Sequence, residues 1–191
     1  IREYALERLD AAGERNVITA RLAQAMLALA EDAPPYVPKG SRAGWFERVD
    51  RERANFDAAL TWAQTTGETL LLARLVAALW PYWLEYPLGR IGYHWLTTAL
   101  ADADDLPARV RAELLTGAAH FELPLARHDL VYEHATEALA IWQELNNPIG
   151  QAHIFATLGW ARITTDGPHL ALSLLKQQLE QWQTTGTELG I

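Results

Sequence analysis

Histidines and clustered aspartates are the side chains of this sequence with the most chemical potential. Zinc sites on helices commonly use two histidines four residues apart with a carboxylate nearby, but His128 and His134 are six apart. His120 and His153 could meet only across neighbouring helical units. A hydrogen-bonded or surface histidine is the more common case, so we expect no metal ion. The six histidines are His94, His120, His128, His134, His153 and His169.

The aspartates at 102, 104 and 105 stand directly before Pro107. Acid–base catalysis needs a cleft that shifts a pKa, whereas aspartates before a helix are explained by capping and by the helix dipole. The chain has no cysteine and no Ser/His/Asp arrangement. Its only Lys beside a Gly, Lys39, follows two prolines and is not a phosphate-binding loop. We predict no catalytic residue, no cofactor and no enzyme.

A dense group of aromatic residues allows three interpretations. It is part of the core, where the N-terminal helices meet the degenerate repeat, or the wall of a ligand pocket, or a contact surface for a domain outside this sequence. All three remain open from the sequence. The aromatic pocket, if present, would consist of Trp80, Trp83, Tyr86, Tyr93 and Trp95, with Tyr82 among them.

These side chains must be positioned by helices, because apolar residues recur at helical spacing along nearly the whole chain. No convincing strand alternation is present. Gly13 suits a left-handed helix end, Asn16 and Asn147 are plausible helix caps, and Pro81 should kink its helix. The predicted helices cover residues 2–12, 16–32, 41–66 (one helix, or two with a bend near Arg53), 69–85, 91–103, 107–125, 129–145, 148–165 and 168–184.

The second half of the chain contains an internal repeat. A shift of 40 residues aligns Ala112 with Ala152, Leu115 with Phe155, and Trp142 with Trp182, without a gap. Two helices per unit at this period predict an all-α, right-handed tetratricopeptide-like solenoid. The units are 106–147 and 148–185, with a degenerate unit at 68–105, the start of a further unit at 186–191, and an N-terminal helical segment at 14–67 packed on the solenoid.

In such repeats the first helix of each unit lines the concave face, where a peptide or small effector would bind. The small residues Ala119 and Gly159 mark the close-packing side of these helices. The predicted concave-face residues are Glu113, Thr116, His120, Leu123, His153 and Trp160.

Four stretches in order resemble the LuxR/AfsR/MalT-like bacterial ATPase transcriptional regulators. They are IREYALERL at 1–9, WFERV with NF and ALTWA at 45–63, the run at 75–83, and WL with AL at 95–100. The resemblance implies that residues 1–13 end a winged-helix region. It also implies that the chain is the helical-repeat sensor of a larger regulator, whose ATPase and helix-turn-helix lie elsewhere.

Charge and composition limit the kinds of partner that the chain can bind. Residues 1–101 carry 12 acidic and 11 basic residues, and residues 102–191 carry 12 and 5, so most of the net charge of −8 belongs to the second half. Nucleic-acid binding depends on Lys and Arg, so we expect no direct contact with nucleic acid. No apolar run approaches the roughly 18 residues of a membrane span, and we expect no membrane contact.

We therefore expect a cytoplasmic sensor or protein-interaction module. Its partners would be a protein or small effector and the other domains of the parent chain. The alternative is a purely architectural or self-association arm with no ligand of its own.

Overall fold

The computed structural model describes residues 7–9, 11–33, 43–101 and 105–165, together with residues 172, 176, 179 and 180. Several expectations fall outside these residues. They concern the sequence motif at 1–6, the start of the third helix at Ser41, the aspartates at 102 and 104, most of the helix at 168–184, and the repeat start at 186–191.

Every regular element in the described part of the chain is a helix, which confirms the all-α prediction. Pro81 lies inside α4, which continues past it to Glu85. The α-helices are α1 (Arg15–Glu31), α2 (Ala43–Arg51), α3 (Arg53–Thr66), α4 (Thr69–Glu85), α5 (Gly89–Leu100), α6 (Ala108–Glu122), α7 (His128–Glu144) and α8 (Pro148–Thr165), and a short 3-10 helix spans Leu123–Leu125.

At the helix ends, two of the cap predictions are confirmed and one is wrong. Asn147 accepts a hydrogen bond from the backbone N–H of Gly150 at 3.1 Å and caps α8 as expected. Gly13 has a φ of 69°, the left-handed conformation predicted for it. Asn16 does not cap α1, because the helix already begins at Arg15 and the Asn16 side chain accepts from Trp62 Nε1 at 2.7 Å.

The predicted helix over 41–66 is two helices within its described part, separated at Glu52. The backbone amide of Glu52 still donates to the carbonyls of Arg48 and Val49, so the chain turns with little loss of hydrogen bonding. The turn places Trp45 and Val49 of α2, and Phe56 and Leu60 of α3, in the core. The alternative with a bend near Arg53 is therefore the one observed.

Each helix packs mainly on its near neighbours along the chain. α1 contacts α3 and α4, α4 contacts α5 and α6, α6 contacts α7, and α7 contacts α8. From α4 onwards, every second helix is also in contact: α4 packs against α6, and α6 packs against α8. Two buried clusters result, a larger one in α1–α5 that extends to Leu114 and Phe121, and a smaller one among α6, α7 and α8.

Glycine allows a close approach of α6 to α4 and α5. A Cβ on Gly117 of α6 would lie 2.9 Å from Trp80 Cγ of α4 and 2.9 Å from Leu96 Cδ2 of α5. Those distances are below van der Waals contact, so only glycine permits this packing. The position of α6 against α4 and α5 therefore depends on this residue.

None of the described helices combines the length and apolarity that crossing a bilayer requires.

Candidate functional site

A cavity of about 640 Å³ opens among the first helices of successive pairs. It is bounded by the end of α1, by α4, by α6 and by the beginning of α8, with Trp142 contributed by α7. Its volume lies within the range typical of small-molecule sites. The residues that line it are Ala30, Glu31, Ala33, Arg74, Ala77, Ala78, Trp80, Pro81, Pro107, Arg109, Val110, Glu113, Thr116, Trp142, Asn147, Ile149, Gly150 and His153.

The structure brings four of the predicted site residues together at this cavity. Glu113, Thr116 and His153 come from the predicted concave face, and Trp80 comes from the predicted aromatic group. His120 lies beside them without lining the cavity, with its ring 5.2 Å from the Trp80 ring and 6.2 Å from the His153 ring. His120 of α6 and His153 of α8 therefore lie next to each other.

Three predicted concave-face residues do not line the cavity: His120, Leu123 and Trp160. Leu123 is half-buried in the 3-10 helix after α6. Trp160, on α8, is 58% exposed and is the most exposed of the large apolar side chains in the described part of the chain.

Some of the charged residues that line the cavity have a partner in the described part of the chain, and one does not. Glu31 and Arg74 form a two-bond ion pair between α1 and α4, with Arg74 Nε and Nη2 at 2.8 and 2.6 Å from the two carboxylate oxygens. This hydrogen bonding raises the pKa of Arg74, and the charges of the pair cancel. Glu113 has a partner. Arg109 is exposed and makes no ion pair with any residue that the structure describes.

The apolar part of the wall is held by buried hydrogen bonds. Trp142 is 1% exposed, and its Nε1 donates to Thr116 Oγ1 at 3.0 Å, while that hydroxyl donates to the Ala112 carbonyl at 2.7 Å. The end of α7 is thereby fixed to α6. Trp80 of α4 also lines the cavity, and Pro81 after it removes the amide that would otherwise bond to the Ala77 carbonyl.

His120 connects α6 to α8 in a single tautomer. Its Nδ1 lies 2.8 Å from the Thr116 carbonyl, which can only accept, so the neutral ring carries its proton on Nδ1. Thr157 Oγ1 lies 3.2 Å from Nε2 and within hydrogen-bonding distance of the His153 carbonyl. Burial lowers the pKa of His120, partly offset by the hydrogen bond to Thr116, so the ring is neutral at physiological pH.

A hydroxyl beside a histidine is also the geometry of an activated nucleophile. Thr157, however, is 2% exposed and packs between helices, so a substrate has no access to its oxygen. The contact therefore joins the two helices. The described residues also contain no group of three or more metal-ligating side chains that could hold an ion.

The remaining aromatic residues lie in separate places. Trp83 is buried in the core, and Tyr86 packs against Phe46 and Tyr82 at centroid distances of 6.1 and 4.9 Å. The Tyr93 hydroxyl accepts from Arg127 at 2.7 Å. Trp95 lines a shallow groove beside His94. Among the five predicted pocket aromatics, only Trp80 is at the cavity.

Several lining residues were not predicted from the sequence, and one feature of the sequence indicates part of them. α4, α6 and α8 begin at residues 69, 108 and 148, and the sixth residue of each helix is Arg74, Glu113 or His153. All three line the cavity. A register counted from the helix starts, with a shift of 39 for the first unit, would have added Arg74. Glu31 comes from outside the repeat, and no spacing within the repeat indicates it.

A second buried polar pair lies on the other side of α6. Glu122 is 1% exposed, and its Oε2 is 2.9 Å from His134 Nδ1 of α7. The hydrogen bond to this carboxylate raises the pKa of His134 against the opposing effect of burial. A buried carboxylate needs such a partner, so the pair fixes α7 on α6.

Comparison with known proteins gives no match to a protein-family description and no match to a curated protein. The function of the chain therefore has to be inferred from the cavity and the side chains around it.

Proposed function

We propose that this chain is a non-catalytic, tetratricopeptide-like helical-repeat sensor that binds an effector on its concave face. In this proposal it is a cytoplasmic part of a larger regulator of the LuxR/AfsR/MalT-like type. Effector binding changes how the chain acts on the other domains of the parent protein.

The solenoid arrangement is supported by the spacing and packing of the helices. The first helices begin 39 and 40 residues apart, and each helix contacts its near neighbours in the chain. A stack of helix pairs, each burying its apolar face on the next, has this pattern of contacts.

The observation that carries the sensor function is that the cavity is shared by three successive first helices. Arg74 is on α4, Glu113 on α6 and His153 on α8, and all three face the same space. A ligand in contact with all of them favours one relative placement of the three units over others. Differential binding of this kind is what shifts a protein between two states.

The test is to fill the cavity and look for loss of a bound compound. Ala78 lines the cavity, so Ala78→Phe places a large ring in it, whereas Ala140→Phe makes the same change on the exposed side of α7. The purified chain is dialysed against a protein-free cell extract, and retained compounds are identified by mass spectrometry. We expect a compound that the wild type and Ala140→Phe retain and Ala78→Phe does not. No such difference contradicts the proposal.

The exposure of Trp160 favours a second candidate, an architectural arm that associates with itself and has no ligand of its own. Trp160 is 58% exposed, so its large apolar surface is available for a second copy of the chain to cover. Sedimentation at increasing concentration tests this candidate. It predicts association by the wild type that Trp160→Ser abolishes, and a monomer at all concentrations contradicts it.

A further inference from the structure

The charged residues that line the cavity differ in whether they already have a partner. Four of its lining residues carry formal charge, namely Glu31, Arg74, Arg109 and Glu113. Glu31 and Arg74 neutralise each other through two hydrogen bonds, and Glu113 has its own partner. Arg109 is the charged group that remains unpaired among the described lining residues.

The surfaces next to Arg109 are apolar. Pro107 precedes α6, Val110 follows Arg109 on α6, and Ile149 lies at the beginning of α8. Trp80 and Pro81 form the facing part of the wall on α4. The cavity thus combines one available cation at an exposed position with an aromatic and aliphatic interior.

We propose that the cavity takes a small organic acid with an apolar body, whose carboxylate pairs with Arg109. The guanidinium of arginine suits a carboxylate because it donates two parallel hydrogen bonds. The inference deepens the proposed function and rests on it, since it assigns a ligand class to the same cavity.

A cationic ligand fits this site less well. Its ammonium group would have to share the Glu31 carboxylate with Arg74, or the Glu113 carboxylate with the partner of Glu113, and would meet the unpaired positive charge of Arg109. An organic acid leaves those contacts intact and adds one at Arg109. The volume of about 640 Å³ suits a small molecule better than a folded protein segment.

Two fluorescent probes separate the contribution of charge from that of the apolar body. Anilinonaphthalene sulfonate has an aromatic body with an anionic group, and phenylnaphthylamine has the same body without it. Their dissociation constants are measured by fluorescence titration for the full chain and for Arg109→Gln. Arg21→Gln is the matched control, because Arg21 is exposed on α1 and does not line the cavity. Ala78→Phe reports whether either probe occupies the cavity.

We expect Arg109→Gln to raise the dissociation constant of anilinonaphthalene sulfonate about five-fold, as for a partly exposed charge pair. The dissociation constant of phenylnaphthylamine should not change. Arg21→Gln should change neither probe, and Ala78→Phe should weaken both. If Ala78→Phe weakens both but Arg109→Gln does not distinguish them, the ligand class is wrong while the cavity remains a binding site. If Ala78→Phe affects neither probe, the cavity does not bind them and the proposed function fails with it.

Discussion

Two histidines of α6 and α7 differ in the chemistry of their surroundings. His120 has only neutral partners, a carbonyl and a hydroxyl, so burial dominates and its pKa is lowered. His134 faces the carboxylate of Glu122, so its pKa is raised. The two side chains therefore make the stability of the fold depend on pH in opposite directions.

Acidification should destabilise the fold through His120. Above its ordinary pKa the residue is neutral in both states, but below about pH 6.5 the unfolded chain takes up a proton before the folded chain does. The free energy of unfolding then falls by at most about 1.4 kcal/mol per pH unit from this group. Urea unfolding between about pH 7.5 and about pH 5 should show a smaller decline for His120→Gln than for the wild type. A parallel decline, or an equal effect of the exposed control His94→Gln, contradicts this.

Alkalinisation should destabilise the fold through His134. Because its pKa is raised by Glu122, its contribution is fully present below about pH 6.5 and is lost as the pH rises through the folded-state pKa. In His134→Gln this loss should be absent when urea unfolding is compared between about pH 6 and about pH 8.5. His134→Ala should cost about 2 kcal/mol or more at about pH 6, since it leaves the Glu122 carboxylate without its partner. Unchanged stability in His134→Ala would show that the pair does not hold α7 on α6.

The helices show which features the sequence predicts and which it does not. Periodicity and proline positions give the number and approximate extent of the described helices, because those properties are local. Asn147 and Asn16 look equivalent as caps, yet only Asn147 caps, because Trp62 lies within reach of Asn16 in the folded chain. Trp80 and Trp83 likewise look alike, and only the packing of α6 on α4 assigns Trp80 to the cavity.

Gly117 and Gly44 should respond with opposite signs to the same substitution. Alanine usually stabilises a helix over glycine by up to about 1 kcal/mol, and a Cβ at Gly44 of α2 meets no atom within 4 Å. At Gly117 the Cβ would press on Trp80 and Leu96, so Gly117→Ala should destabilise by about 1–3 kcal/mol. Thermal or urea unfolding of both variants measures this. Stabilisation by Gly117→Ala would mean that α6 moves away from α4 without cost.

In the described part of the molecule, two buried clusters of unequal size meet at α6. The cluster in α1–α5 contains most of the aromatic core, whereas the cluster among α6, α7 and α8 is built largely from alanines with Leu115, Trp142, Ile154 and Leu158. Fewer large apolar side chains bury less surface, so the second cluster should open at lower free energy than the first. The cavity lies where the two clusters adjoin, so a ligand there contacts both.

Weakening one cluster should therefore open it without opening the other. Ile154 is fully buried in the second cluster and Leu75 in the first. Ile154→Ala should lose about 2–4 kcal/mol and accelerate amide hydrogen exchange in α7 and α8, while α1, α3 and α4 keep their protection. Leu75→Ala is the matched control in the first cluster and should accelerate exchange in α1, α3 and α4. Hydrogen exchange followed by mass spectrometry resolves these helices. We expect local acceleration because nearest-neighbour packing confines the loss to the helices that share the deleted contacts. Uniform acceleration of exchange along the chain in Ile154→Ala would instead show a single cooperative unit.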